Sequence, residues 1–156
     1  MRNKTANDSA TPAGNGTMAG VLAQLFYLTG KESYRERAET LVCAFSGGLQ
    51  RNFYPLSTLI NGAETLQHAL QIVIVGERDA ADSAALLQVV DRLCLPDRVL
   101  QVVPPDSDGV PSLPEGHPAA GKGQADAGRA TAYVCRGPVC SLPITDAAEL
   151  ERALAS

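Results

Sequence analysis

Two cysteines near the end of the chain have a spacing that could support thiol chemistry. Cys135 and Cys140 bracket the segment Arg136-Gly137-Pro138-Val139, in which a Gly-Pro reversal predicts a β-hairpin. Directly opposed residues of a hairpin have Cβ atoms about 4.5–5.5 Å apart, which is close to disulfide geometry. The pair therefore has three interpretations: structural thiols that stabilise the hairpin, a thiol-redox pair, or two ligands of a metal.

The chemistry of thiols favours the structural interpretation of this pair. The spacing is not Cys-x-x-Cys, whose helix N-terminus lowers the thiol pKa, and Arg136 is the one positive charge beside the cysteines in sequence. A zinc site needs two further ligands, and the other cysteines and His117 are remote and unpatterned. We therefore expect Cys135 and Cys140 to remain reduced thiols, and the sequence predicts no metal and no cofactor.

Four further features carry residues that could do chemistry, and each has a simpler explanation. The stretch 14–20 is rich in glycine but lacks the strand and the lysine of a phosphate loop, so it predicts a helix-entry turn. Val75-Gly76 supplies only one glycine of a dinucleotide-binding fingerprint, and the loop after it is acidic where a pyrophosphate would need backbone amides. This stretch therefore predicts a small packing domain. His117 and Lys122 lie in a long loop and are expected to be solvated, and His68 has no partner at metal-ligand spacing. The catalytic residues are therefore unknown.

The composition of the 156 residues bounds the classes of function. Hydrophobic residues make up 45% and charged residues 19%, which is typical of a globular domain. The net charge of −4 disfavours a nucleic-acid surface, and no apolar run approaches the roughly 20 residues of a membrane span. Four scattered cysteines and the absence of a recognisable signal peptide indicate a reducing compartment, so we expect a cytoplasmic protein.

Helical periodicity governs the first part of the chain. Residues 1–11 are polar and are predicted to be a loose segment, and residues 12–70 to be helical. The predicted helices span 17–28, closed by Gly30, then 32–45, ended by Gly47-Gly48, and then 55–68. The first helix is apolar on nearly all sides, with Gln24 almost its one strongly polar residue, so it must be buried nearly all round. Something outside this sequence is expected to cover it.

Alternating strands and helices are predicted from residue 71 to residue 156, where they form a small α/β domain. Strand 72–75 and strand 98–103 flank a helix capped by Asp79 or Asp82, and this unit predicts a parallel pair. A long loop over 104–128 then leads to a strand at 130–135. The last helix is predicted over 146–154, with Thr145 as its cap. The predicted fold class is therefore α+β.

Four segments in order resemble one family. The run Thr131-Ala132-Tyr133-Val134-Cys135, with Cys140 and Pro143 after it, resembles the C-terminal signature of the thioredoxin-domain-containing spermatogenesis-associated protein 20 family. Further segments agree with the family in order and spacing: Pro12-Ala13-Gly14-Asn15 before a helix ending Leu28-Thr29-Gly30, then Ile72-Val73-Ile74-Val75-Gly76, then Leu113-Pro114 with Lys122 and Gly128.

The resemblance implies an architecture and a role. It implies an N-terminal thioredoxin-like domain, an α/α toroid like that of six-hairpin glycosidases, and then this C-terminal segment, whose helices end the toroid. Ala13 replaces the family's serine, and Asn15 remains as a candidate cavity-lining residue. The chain is then a fragment that is non-catalytic by itself and completes the toroid cavity, with the missing regions or a second copy as its partner. The alternatives are part of a carbohydrate-active enzyme with a carbohydrate ligand, or a thiol-redox module that uses Cys135 and Cys140.

Overall fold

The structure is a computed structural model that describes residues 5–49, 52–113, 116–126 and 128–155. The predicted loose segment therefore falls partly outside the described residues, at 1–4, as does Pro114 of the long loop. The chain divides into two compact units, one up to His68 and one from Ala69 onward. The elements are α1 Gly14–Thr29, α2 Glu32–Leu49, α3 Ser57–His68, β1 Leu70–Val75, α4 Ala81–Arg92, β2 Arg98–Val103, β3 Thr131–Arg136, β4 Val139–Cys140 and α5 Ala147–Ala155.

Helices α1 and α3 lie side by side in the first unit and run in the same direction. Gly16 packs against the backbone of Leu59, and one turn later Gly20 packs against Gly62. A Cβ atom on Gly62 would lie 2.8 Å from the backbone nitrogen of Gly20, so the helices approach closely because neither residue has a side chain. Near the other end, the Tyr27 hydroxyl donates a hydrogen bond of 2.7 Å to the carbonyl oxygen of Leu66 in α3.

Helix α1 turns its small residues inward and leaves large apolar side chains in contact with solvent. The buried residues of α1 are Gly16, Ala19 and Ala23. Met18 is 50% exposed and Val21 is 43% exposed. Burial on nearly all sides was predicted with the help of a cover from outside this sequence. The chain alone leaves this side uncovered, so the outside cover stays a prediction. The close crossing with α3 leaves room for glycine and alanine, so the larger residues occupy the opposite side.

The helix boundaries differ from the predicted ones at positions where glycine or proline was expected to begin or end a helix. Helix α1 begins at Gly14, and Gly30 ends it in a left-handed conformation with φ of 69°, as predicted. Helix α2 continues through Gly47-Gly48 to Leu49. Pro55 lies in a short 3₁₀ turn, Tyr54–Leu56, and α3 starts only after it. Glycine lowers helix stability by about 1 kcal/mol, which tertiary packing overrides.

The second unit contains a mixed sheet with the strand order β2-β1-β3-β4. Strands β1 and β2 are parallel, as the strand-helix-strand pattern predicts, and β3 lies antiparallel to β1 on its other side. The predicted fold class, α+β, is therefore confirmed. Helices α4 and α5 cover one face of the sheet, where Ile72, Ile74, Leu86 and Leu150 are buried. On the other face, Ala119 from the long loop packs in a cluster with the buried side chains of β1.

The capping residues of α4 and α5 are not those predicted. Ala80 holds the N-cap position of α4, and neither Asp79 nor Asp82 caps it. The Asp82 carboxylate instead accepts hydrogen bonds from the backbone N–H of Ala130 at 2.7 Å and of Ser83 at 2.9 Å. The pKa of the Asp82 carboxyl group is lowered from its ordinary value, mainly because the carboxylate accepts the hydrogen bond from the Ala130 N–H.

In α5 the capping side chain is one residue later than predicted. The Asp146 carboxylate accepts a hydrogen bond of 2.9 Å from the backbone N–H of Glu149, in the first turn of the helix. Asp146 therefore replaces Thr145 as the cap. Aspartate and threonine are both accepted at this position, so the two neighbouring candidates could not be separated by residue type.

Candidate functional site

The hairpin of β3 and β4 brings the two candidate thiols together. Gly137 has φ of 58° and is followed by Pro138, an arrangement that fits a two-residue turn with glycine at its first central position. Cys135 and Cys140 are directly paired, and so are Arg136 and Val139. The predicted hairpin and its register are therefore present, because the turn type fixes which residues face each other.

Cys135 and Cys140 form a disulfide in the structure, so the expectation that both stay reduced is corrected. Their Cα atoms are 4.0 Å apart. The neighbouring pair, Val134 and Ser141, is hydrogen-bonded through the Ser141 N–H and the Val134 carbonyl oxygen at 2.8 Å. Bonded and non-bonded pairs alternate along an antiparallel ladder, so the cysteines occupy a non-hydrogen-bonded position, where side chains are closest. That register places the two sulfur atoms within bonding reach.

Two exposed apolar side chains lie near the disulfide in the chain. Val139 is 71% exposed and Leu142 is 84% exposed. Ala132 pairs with Ile144, and Val134 is hydrogen-bonded to Ser141. Between these two pairs, Leu142 and Pro143 lie opposite the single residue Tyr133, so the chain forms a β-bulge here. An open groove of about 280 Å³ follows the sheet edge and is lined by Val134, Arg136, Val139, Cys140, Ser141 and Ala153.

Asn15, the candidate cavity-lining residue, lies in the first turn of α1 and in the other compact unit. Its side-chain N–H donates a hydrogen bond of 2.7 Å to the carbonyl oxygen of Thr5, and the side chain is half-buried. Asn15 therefore ties the N-terminal segment to α1. Its role in a cavity of a larger protein stays a prediction.

Asp8 is a structural anchor that the sequence did not reveal. Its carboxylate accepts hydrogen bonds from the backbone N–H of Ala13 at 2.7 Å and of Thr58 at 2.8 Å. These two donors lie where α1 and α3 begin, so one negative charge serves the positive ends of both helices. The segment 5–11, predicted to be loose, is thus bonded to the unit, and Ala6 is buried. The Ala13 N–H, and then the Thr58 N–H, lower the pKa of Asp8 from its ordinary value of 3.8.

We predict that the stability supplied by Asp8 depends on pH. Because its pKa is lowered in the folded chain, its contribution is fully present above the ordinary value of 3.8 and is lost as pH falls through the lower folded value. Asp8→Asn should therefore lower the thermal midpoint of the helical unit at neutral pH, and the difference from wild type should shrink below about pH 4. Circular dichroism melts against pH measure this. The exposed Asp79 provides the control Asp79→Asn, and a pH-independent difference for Asp8→Asn would contradict the assignment.

The loop residues considered for substrate binding hold the loop together. The Lys122 ammonium group donates to the carbonyl oxygen of Pro118, and His117 accepts the Ala119 N–H through Nδ1 at 3.1 Å. The Tyr133 hydroxyl donates to the carbonyl oxygen of Gly123 at 2.6 Å. Burial lowers the pKa of Lys122 and raises the pKa of Tyr133. These contacts fix the path of the loop across the sheet.

The described residues hold neither a further candidate metal site nor a candidate membrane span. In residues 5–49, 52–113, 116–126 and 128–155, no group of three or more His, Cys, Asp or Glu side chains is arranged to hold a metal ion. Within the same described part of the chain, no helix combines the length and the apolar character that crossing a membrane requires.

Comparison with known proteins identifies relatives among curated sequences. No family model matches the chain, and no solved structure matches it. Spermatogenesis-associated protein 20 of Homo sapiens is 35% identical over 99% of this chain and 20% of its own length. The proteins of the same name from Rattus norvegicus and Mus musculus are each 34% identical over 99% of this chain and 19% of their own length.

The chain thus spans about a fifth of the length of the curated relatives that it matches. A match of this extent is consistent with a C-terminal portion of such a protein. Since the similarity runs along nearly the whole chain, the predicted resemblance is confirmed, and the chain is related to a segment of spermatogenesis-associated protein 20.

Proposed function

We propose that this chain is a non-catalytic C-terminal part of a larger protein, in which α1, α2 and α3 complete an α/α toroid and the sheet unit follows them in the chain. The observation that carries the proposal is the outward side of α1. Met18 and Val21 are three residues apart and therefore lie on one side of the helix, and both are about half exposed. Full burial of an exposed side chain of this size stabilises by roughly 1.5–3 kcal/mol, so about half of that remains available to each of these two half-exposed residues. The remaining helices of the larger protein are the proposed cover.

The direction of the helices agrees with a toroid. In a ring of helical hairpins, successive hairpins place equivalent helices side by side and parallel. Helices α1 and α3 have this relation, with contacts that advance from Gly16 and Leu59 to Gly20 and Gly62. The first and third helices of an up-down-up bundle are parallel as well, so the exposed side of α1, and not the direction of its neighbour, carries the proposal.

Several polar side chains with groups that could do chemistry serve the fold instead, which supports a non-catalytic role. Asp8 and Asp82 accept backbone hydrogen bonds, and Lys122 and His117 order a loop. Catalytic groups need a free reactive atom within reach of a substrate. The hydrogen bonds described for these residues support the backbone.

We predict that the chain alone has no glycosidase or sugar-epimerase turnover. A toroid cavity is lined by all the hairpins of the ring, and the helical unit described by the structure supplies three helices. Product release from chromogenic glycosides and epimerisation of amino sugars, followed by NMR, should equal the rates of buffer alone. Turnover that a point substitution such as Asn15→Ala abolishes would contradict the proposal. The alternative, in which the larger protein acts on carbohydrate, predicts the same inactivity for this segment by itself.

A further inference from the structure

We propose that the disulfide between Cys135 and Cys140 is a thiol–disulfide exchange site, reduced at Cys140 by a dithiol protein that docks on Val139 and Leu142. The inference goes beyond a structural role for the chain. It rests on residues of the sheet unit alone, so it stands or falls independently of the toroid.

The two cysteine residues differ in exposure, and this difference is the basis for the direction of attack. Cys135 is 4% exposed and lies on β3, between β1 and β4. Cys140 is exposed and belongs to β4, which is the edge strand of the sheet. An incoming thiolate must reach the sulfur that it attacks, so Cys140 takes the new bond and Cys135 is the leaving group. Exposed disulfides are also the ones that exchange, whereas structural disulfides resist reduction.

The surroundings of Cys140 match the needs of a docking protein. Among the large apolar residues of the described part of the sheet unit, Val139 and Leu142 are the two that are strongly exposed, and they flank Cys140 in sequence. Exposed apolar patches mark interaction sites more often than single exposed residues do, and the proposal assigns this role to the pair beside Cys140. Arg136 lines the groove beside Cys140 and supplies a positive charge there. The partner is therefore a protein dithiol with an apolar and acidic rim.

The exchange balances without a further reactant. A thiolate of the partner attacks Sγ of Cys140, the bond between the two Sγ atoms breaks, and its electron pair leaves on Sγ of Cys135, which takes a proton from solvent. The second thiol of the partner then attacks the partner's own sulfur in the mixed disulfide and releases Cys140 as a thiolate, which is protonated in turn. Two electrons and two protons pass from the dithiol to the chain, and the partner leaves as a disulfide.

The fold tolerates reduction. The two cysteines are five residues apart in sequence, so the bond closes a small loop and constrains the unfolded chain little. After reduction, the hydrogen bonds between Ala132 and Ile144, and between Val134 and Ser141, still hold the chain that follows β4 against β3. The site can therefore cycle between its two states while the sheet persists.

Trapping of the mixed disulfide tests the site. The full chain carries Cys43→Ser and Cys94→Ser, because both of those cysteines are free and exposed. The probe is a thioredoxin whose second active-site cysteine is replaced by serine, so that the first step cannot proceed further. We expect a covalent adduct that peptide mapping places on Cys140. An adduct on Cys135, or no adduct while dithiothreitol still reduces the bond, would overturn the proposal.

A second pair of variants tests docking separately from reactivity. Val139→Ser with Leu142→Ser should slow reduction by intact thioredoxin about tenfold and leave reduction by dithiothreitol unchanged, because the small thiol needs no docking surface. The matched control is Phe53→Ser, an exposed apolar residue of the other unit at 59% exposure, which should change neither rate. Equal thioredoxin rates for wild type and the double variant would overturn the docking surface.

Discussion

Replacement of Gly62 by alanine should destabilise the helical unit by about 2 kcal/mol. Within a helix, alanine is normally better than glycine by about 1 kcal/mol, so an exposed site would gain stability. At Gly62 the new methyl group would lie 2.8 Å from the backbone nitrogen of Gly20 and 3.1 Å from the Cβ atom of Ala19. Because one of these neighbours is backbone, the helices α1 and α3 must move apart, and such overpacking typically costs about 1–3 kcal/mol.

The matched control for this change is Gly47→Ala. Gly47 lies within α2, it is exposed, and an added Cβ atom would meet nothing within 4 Å. This variant should gain about 0.5–1 kcal/mol, since it receives the helical preference of alanine without a clash. Denaturant unfolding followed by circular dichroism measures both. If Gly62→Ala were as stable as Gly47→Ala, the close crossing of α1 and α3 would be wrong.

Replacement of Leu150 by alanine should destabilise the sheet unit by about 2–5 kcal/mol. Leu150 is 0% exposed and belongs to the core cluster under β1 and β3, into which α5 inserts it. Removal of its side chain loses the transfer free energy of the buried carbons and leaves a cavity that the sheet cannot fill. Helix α5 has nine residues and depends on such packing, because short helices are marginal by themselves.

Leu142→Ala deletes the same carbons from an exposed position. Leu142 is 84% exposed, so its replacement should change the free energy of unfolding by less than about 0.5 kcal/mol. Urea unfolding gives the free energy of unfolding of both variants and of the wild type. Since both variants lose the same carbons, the difference between them measures the effect of burial. A loss for Leu150→Ala no larger than that for Leu142→Ala would show that α5 does not pack on the sheet.

Local signals in the sequence predicted the parallel strands and the cysteine hairpin of the sheet unit. A β-branched run ended by Gly76, a helical repeat, and a second apolar run predict two parallel strands, which are β1 and β2. The Gly-Pro reversal predicts the register that opposes Cys135 and Cys140. These features depend on neighbours within a few residues. The oxidation state of the pair does not, so the disulfide itself was not predicted.

The features that the sequence did not predict depend on distant contacts. Asp8 bonds to Thr58, fifty residues away, and nothing near Asp8 marks that partner. Helix α2 passes through Gly48 because Leu41, Val42 and Phe45 pack on the core of the helical unit and hold the helix in place. The cost of two glycines, about 1 kcal/mol each, is smaller than this gain.

One missed signal was present in the sequence of α1. Gly16, Ala19 and Ala23 recur at helical spacing and form the side that is buried. Small residues at such positions permit close approach of two helices, whereas the prediction treated the helix as apolar on nearly all sides and assigned no side to its partner. The spacing of the small residues would have placed Met18 and Val21 on the outer side.

Sedimentation equilibrium tests the central claim, which is that α1 carries a surface that the rest of a larger protein covers. The chain alone should self-associate with rising concentration, because Met18 and Val21 otherwise meet water. Met18→Gln with Val21→Gln should weaken this association at least about tenfold while circular dichroism stays unchanged, and Phe53→Gln should leave it as in the wild type. A cooperatively unfolding wild-type chain that remains a monomer at every concentration would contradict the account.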